Sequence, residues 1–319
     1  MRKACLEMVY TLAKQDPRVF FLGSDLGAGT LESFRAAMPE RFLMEGVSEA
    51  NLIGLAAGLA LEGNLPYVNT IATFLTRRCF EQLVVDLCLH RANVRLLGNG
   101  GGLVYAPLGP THMAIEDLAI LRALPHMTVL APADANEMRR LMLATLAHQG
   151  PLYIRLGKGN EPLVTPAAGT FEIGKAYWMR KGSDALLITT GTVLSLALEA
   201  AGHLQREGVS TGVLHVPTLK PLDTETLLDA LAAVPVVVTL EEHTVVGGLG
   251  SAVAELIAET PFHPAKRFKR LGLPDVFPEG YGSQASLMAH YGLTVTRLVA
   301  AVMDLITSGV HALWLTSTL

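Results

Sequence analysis

Apolar positions along the chain fall into two alternating patterns. Short, mostly apolar runs at 19–22, 66–71, 94–97 and 152–156, and again at 185–189, 211–216 and 235–240, have the length and the flanking turn residues of buried strands. Between them, apolar residues recur every three or four positions over 4–14, 48–61, 193–206, 223–232 and 250–259, which predicts helices. A further helix is expected to begin at 109–117 and continue to Leu124. Strand and helix alternating in this way predict two doubly wound α/β domains with mostly parallel sheets. The boundaries expected are 1–160 for the first domain, a Pro- and Gly-containing connector over 161–182, 183–307 for the second domain and an apolar tail over 308–319 that stands outside the pattern.

One helix differs from the rest. The stretch EGVSEANLIGLAAGLALEG, 45–63, sets Ser48 as a candidate N-cap, Glu49 in the first turn and Leu52, Leu55, Ala56 and Leu59 along a buried face. Gly54 and Gly58 lie one turn apart and lower helix propensity, so another backbone or a ligand is expected to approach closely there. Glu49 alone reads as a residue that complements the helix dipole.

Other residues carry chemistry only in context. Asp25 leaves the first strand into a Gly-rich turn, at the edge where open α/β sheets bind ligands, but an Asx turn has the same wording. Phe74, Arg77 and Phe80 are spaced three apart, either as a core stripe or as a lining; an arginine within core requires a partner. The run Gly98-Asn99-Gly100-Gly101-Gly102 suits either a phosphate cradle or a plain turn. His112 follows Gly109-Pro110-Thr111, and on spacing alone is a turn or capping residue. Arg155 and Lys158 in PLYIRLGKGNEP read by default as solvated charges.

Composition narrows the setting. Half of the 319 residues are hydrophobic, 17% are charged and the mean hydropathy is +0.37, so apolar surface beyond two cores is expected at a subunit interface. The apolar run 52–61 is interrupted by glycine and too short to span a bilayer. A net charge of −4 weighs against a nucleic-acid partner. Without an apolar signal region near the N-terminus, a cytoplasmic protein is expected, and Cys5, Cys79 and Cys88 lack metal-ligand spacing and fit reduced structural thiols.

The words GVSEANLIGLAAGLALEG, 46–63, together with the Pro-Thr-His string at 110–112 and PHMTVLAPADANE at 125–137, resemble thiamine-diphosphate enzymes of the transketolase and deoxyxylulose-phosphate synthase branch. The resemblance implies a pyrimidine-binding domain followed by a transketolase C-terminal domain, and a transketolase-type transferase. It implies that Glu49 activates thiamine diphosphate by holding the aminopyrimidine nitrogen in a water-shielded site, and that Phe74 stacks on that ring with Arg77 and Phe80 nearby. Asp25 then lies near the cofactor, His112 faces the thiazolium and substrate, and Lys158, Arg155 and Arg2 are candidates for a substrate phosphate. Arg77 stands where sugar-phosphate transketolases usually carry an aromatic residue, as in the synthases.

The chain contains no Gly-Asp-Gly, the motif with which this family, together with a downstream Asn, holds the diphosphate and its Mg²⁺. An N-terminal partner subunit is therefore expected to supply it, in a heterotetramer with two copies of each chain, and no metal ligand is assigned here. Gly100 and Leu108 replace the histidine and acidic residue expected for pentose-phosphate substrates, so the expected reaction is two-carbon ketol transfer between sugars or sugar derivatives. The alternative is a decarboxylative, synthase-type condensation. Two other classes compete: a non-catalytic assembly subunit, and a dinucleotide-binding enzyme built on GGLGSAVAE, whose spacing is imperfect and which lacks a ribose-binding acid.

Overall fold

The computed structural model describes residues 1–24 and 31–316, with side chains described as far as 307. Asp25 lies outside the described residues. Helix α1 (Arg2–Gln15) leads to strand β1 (Val19–Gly23), followed by α2 (Glu32–Ala37), β2 (Phe42–Met44), α3 (Glu49–Leu61) and β3 (Leu65–Ile71). Next come two wide π-type helical stretches, Phe74–Arg78 and Leu83–Leu89, separated by the short α4 (Phe80–Gln82). The first domain continues with β4 (Arg95–Asn99), α5 (Asp117–Arg122), β5 (Thr128–Leu130), α6 (Ala135–Ala144) and β6 (Leu152–Leu156).

The second half comprises β7 (Tyr177–Arg180), β8 (Ala185–Thr189), α7 (Leu194–Arg206), β9 (Thr211–His215), β10 (Thr218–Lys220), α8 (Thr224–Ala232), β11 (Val236–Thr244), α9 (Leu249–Glu259), β12 (Arg267–Leu273), α10 (Gln284–His290) and α11 (Val295–Thr316). The first sheet has the order β10-β5-β6-β4-β3-β1-β2, and the second β12-β11-β8-β9-β7. Within each sheet the pairing is parallel except at one edge, β10 on β5 and β7 on β9. Two doubly wound α/β units therefore stand as the sequence predicts.

Their boundary differs from the expected one. Strand β7 lies inside the expected connector and pairs with β9. Strand β10, deep in the second half, adds to the first sheet, where Thr218 aligns with Leu130. One apolar cluster runs unbroken from Leu52, Val68 and Leu96 through Leu118 and Val129 to Leu214, Leu227 and Leu249, so the two units share a core. A second cluster fills the space between α1, α6 and the opposite face of the first sheet, and a third lies between the second sheet, α7 and α11. The expected tail begins inside α11, whose earlier turns pack against α7, β11 and β12.

Candidate functional site

The chain runs from β1 outward to β2, then returns to place β3 on the other side of β1. That reversal makes β1 and β3 a topological switch point, where open parallel sheets leave a crevice at their carboxyl ends. Helix α3 starts just beyond β2, and the first π-type stretch just beyond β3, so both open at this edge. Ser48 occupies the N-cap position, but its hydroxyl donates back to the Glu45 carbonyl at 2.9 Å and caps no amide of the helix. The buried carboxylate of Glu49, 5% exposed, thus lies in the first turn of a helix without a side-chain cap.

Arg78 is what meets Glu49. Its Nη1 donates to Glu49 Oε2 at 3.2 Å, while its guanidinium carbon lies 3.8 Å from the centroid of the Phe74 ring. Phe74 in turn meets the His112 ring edge-on, with centroids 5.1 Å apart and planes at 64°. Glu49, Arg78, Phe74 and His112 form one continuous cluster. Wide helical turns of this kind recur at functional sites because they re-aim side chains. Here the turn brings Arg78 onto the carboxylate and over Phe74, where Arg77 was the arginine expected beside that ring. Phe80 is exposed at the start of α4 instead of sharing one regular helical face with Phe74. The i, i+4 spacing of Phe74 and Arg78 was the available signal for the missed residue.

Arg77 points the other way. It donates to Glu116 through Nε and, at 2.9 Å, through Nη2, and it also reaches the carbonyls of Met113 at 3.0 Å and Pro110 at 3.4 Å. The Glu116 hydrogen bond raises the guanidinium pKa above its usual value. This clamp corrects the expected helix: 109–116 is a loop, and α5 begins only at Asp117, because Gly109 has a φ of +80° and the carbonyls of Pro110 and Met113 accept from Arg77. His112 sits within that loop, half-buried, its amide on the Gly109 carbonyl at 3.0 Å and its Nδ1 2.9 Å from the Thr111 hydroxyl.

Arg155 belongs to a different setting. It is buried, donating to the carbonyls of Glu242 at 2.9 Å and Ala114 at 2.7 Å, and it pairs with Asp117 Oδ1 at 3.1 Å. Asp117 also accepts the Tyr153 hydroxyl at 2.6 Å, and burial, then this carboxylate, drives the Tyr153 pKa well above its usual value. Glu242 accepts the Leu103 amide at 2.7 Å and Gln284 Nε2 at 2.9 Å. Neither a solvated charge nor a substrate phosphate ligand fits this position; Arg155 ties the two domains together.

The glycine run beside it is no phosphate cradle. Amides of Gly100 and Gly101 both donate to the Leu156 carbonyl, and that of Gly102 to the Ala114 carbonyl. Likewise GGLG at the start of α9 is closed: Glu241 accepts the amides of Leu249 at 2.7 Å and Gly250 at 2.8 Å. A dinucleotide phosphate would have to displace a buried carboxylate from that helix end. Lys158, by contrast, is exposed beyond β6, and the neighbouring Gly157 amide lies 3.3 Å from Met1 Sδ, which brings the chain segments of Lys158 and half-buried Arg2 to one corner.

Residues 1–162 match the family model "Transketolase, pyrimidine binding domain", and 174–298 match "Transketolase, C-terminal domain". The 6-deoxy-6-sulfo-D-fructose transketolase subunit SqwH of Clostridium sp. (strain MSTE9) is 36% identical over 95% of this chain and 94% of its own. A 1-deoxy-D-xylulose-5-phosphate synthase of Heliobacterium modesticaldum is 34% identical over 92% of this chain but 45% of its own length. A solved structure described as a split gene transketolase, inactive beta4 tetramer, superposes with a TM-score of 0.87 at 37% identity, covering 96% of this chain and 97% of that one.

Proposed function

Because the chain belongs to the transketolase family, as the separate subunit that carries the pyrimidine-binding and C-terminal domains of a split enzyme, we propose that Glu49, Phe74 and His112 form its half of a thiamine-diphosphate site. One observation carries the assignment. Glu49 and Phe74 together hold a planar cation that gives an N–H to the carboxylate and lies over the ring, and an aminopyrimidine needs the same two contacts. The residues therefore fit the cofactor. When bound, thiamine diphosphate supplies the nucleophilic carbon through which a two-carbon ketol unit passes from donor to acceptor.

The chain's own groups have separable tasks. Glu49, shielded from water, accepts the ring N–H and can hold its proton. Phe74 fixes the plane of the ring. His112, against the edge of Phe74, is placed to hydrogen-bond a substrate oxygen, and Arg77 acts through it by clamping the loop. Lys158 and Arg2 supply cationic charge for an anionic substrate end, and Asp25 stays a cofactor candidate on its motif alone.

The diphosphate and Mg²⁺ fall to the N-terminal partner subunit. Support comes from the missing Gly-Asp-Gly. The open face of α3 also supports a partner: nothing lies within 4 Å of a Cβ built on Gly54 or Gly58, while Val47 and Leu61 nearby are 68% and 64% exposed. A heterotetramer of two such pairs is the assembly we propose, in the cytoplasm, where the three buried free cysteines stay reduced. The substrates are sugars or sugar derivatives, with Leu108 exposed where an acidic residue would read a pentose phosphate.

Affinity purification of the tagged chain from its own cells tests the reading. The expected result is a stoichiometric partner containing Gly-Asp-Gly and, on addition of thiamine diphosphate and Mg²⁺, ketol transfer between sugars. Activity confined to pyruvate as donor would replace transfer by decarboxylative condensation. A homo-oligomer with neither partner nor cofactor binding would leave a non-catalytic subunit.

A further inference from the structure

We propose that Arg78 is a built-in placeholder for the aminopyrimidine: in the cofactor-free chain its guanidinium occupies the ring's position, and it must swing out before the cofactor can bind. The inference rests on the cofactor reading above and extends it to the state before loading. Both contacts that the ring requires are made by this one side chain, the Glu49 carboxylate at 3.2 Å and the face of Phe74 at 3.8 Å. A guanidinium is suited to the part, being planar, stackable and rich in N–H donors.

The same cluster shows why the group is held and why it can leave. Glu49 is 5% exposed, and a buried carboxylate without a partner is costly, so Arg78 keeps the carboxyl satisfied while the pocket lacks its ligand. Yet the Arg78 side chain is 49% exposed, and among the described residues its hydrogen bond goes to Glu49 alone. Its neighbour Arg77 makes four hydrogen bonds to three residues and has no such freedom. One arginine of the pair is fixed in the scaffold and the other is free to move.

A placeholder lowers apparent affinity by the fraction of molecules in which it is out of the way. Titration calorimetry and stopped-flow fluorescence of thiamine diphosphate binding, with Mg²⁺ and the partner subunit present, measure this directly. Arg78→Ala should bind the cofactor about five- to tenfold more tightly, with a faster association rate, and Arg78→Lys, which keeps charge but loses the planar stack, should fall between. Unchanged or weaker binding by Arg78→Ala in a folded complex would overturn the proposal, since Arg78 would then be a bystander or a ligand. Binding by neither wild type nor variant would overturn the cofactor reading as well, so the two failures are told apart.

Discussion

Two buried carboxylates of the first domain each face an arginine. Asp117 meets Arg155, itself only 9% exposed, and both are enclosed by Tyr153, Glu242 and backbone carbonyls from each domain. Glu49 meets Arg78, half exposed, over an aromatic ring that leads on to a histidine in a loop. The first pair has its partners from several directions and no room to change them. The second has one adjustable partner at a sheet edge. Burial of a charge is common to both, so it does not mark a site by itself; what marks it is a buried charge whose partner can be exchanged.

Exchanging the carboxyl groups tests that distinction most severely. Glu49→Gln should lower ketol transfer by about 10³-fold or more, as loss of a general acid or base does, while the melting temperature of the isolated chain moves little. Steady-state kinetics beside thermal unfolding would show it, and retained activity would remove Glu49 from the chemistry. Arg155→Ala should do the reverse. It leaves Asp117 and Glu242 without their buried counter-charge and should cost about 3–5 kcal/mol in denaturant unfolding. If it unfolded no more easily than wild type, the interdomain pair would not be structural.

A gentler probe is pH, because the enclosed network holds two groups shifted in opposite senses. Burial pushes Glu241 up to about 7, even though it accepts the Leu249 and Gly250 amides. Burial, then the charge of Arg155, pushes His243 down to about 4. For Glu241 the folded pKa is raised, so its contribution is present below 4.5 and is lost as pH rises through 7. His243 has a lowered pKa, so its contribution is present above 6.5 and is lost as pH falls through 4. Between these limits the two oppose. Relative to wild type, Glu241→Gln should lose stability on acidification from pH 7 to pH 4.5 and His243→Gln should gain it, each by up to about 3 kcal/mol. Parallel urea titrations at the two pH values would reveal the opposite tilts, and equal tilts would refute the assignment.

The same contrast explains what the sequence could disclose. Strands such as 19–22, 66–71, 94–97 and 185–189 are legible because both their faces are buried and they read as short, mostly apolar runs, even where Asn69, Thr70 or Arg95 interrupts them. Three-residue β2, β5 and β10 are too short to carry a period, and β12, RFKRLGL, hides behind its basic residues. That β10 would cross to the other domain's sheet is a tertiary choice with no local signal. Glu49, Phe74 and His112 stood out through the words around them. Arg78 did not, because Arg77 and Arg78 stand three and four residues from Phe74, both helical neighbours of it, and the wide helical turn decides which of the two faces the carboxylate.

The smallest effect is expected on α3 itself, where the site meets the outside. Gly54 lies in an exposed helix interior with nothing inside 4 Å of an added Cβ. In the chain alone, Gly54→Ala should therefore stabilise by about 0.5–1 kcal/mol, since it removes backbone freedom and meets no neighbour. In the complex the same methyl should weaken association if the partner's backbone approaches this face, because a close contact leaves no space for it. Thermal unfolding of the isolated chain and sedimentation of the reconstituted pair measure the two halves separately. A variant that stabilised the chain and bound its partner as well as wild type would put the interface elsewhere, and the exchangeable pair at Glu49 would then open toward solvent rather than toward a second subunit.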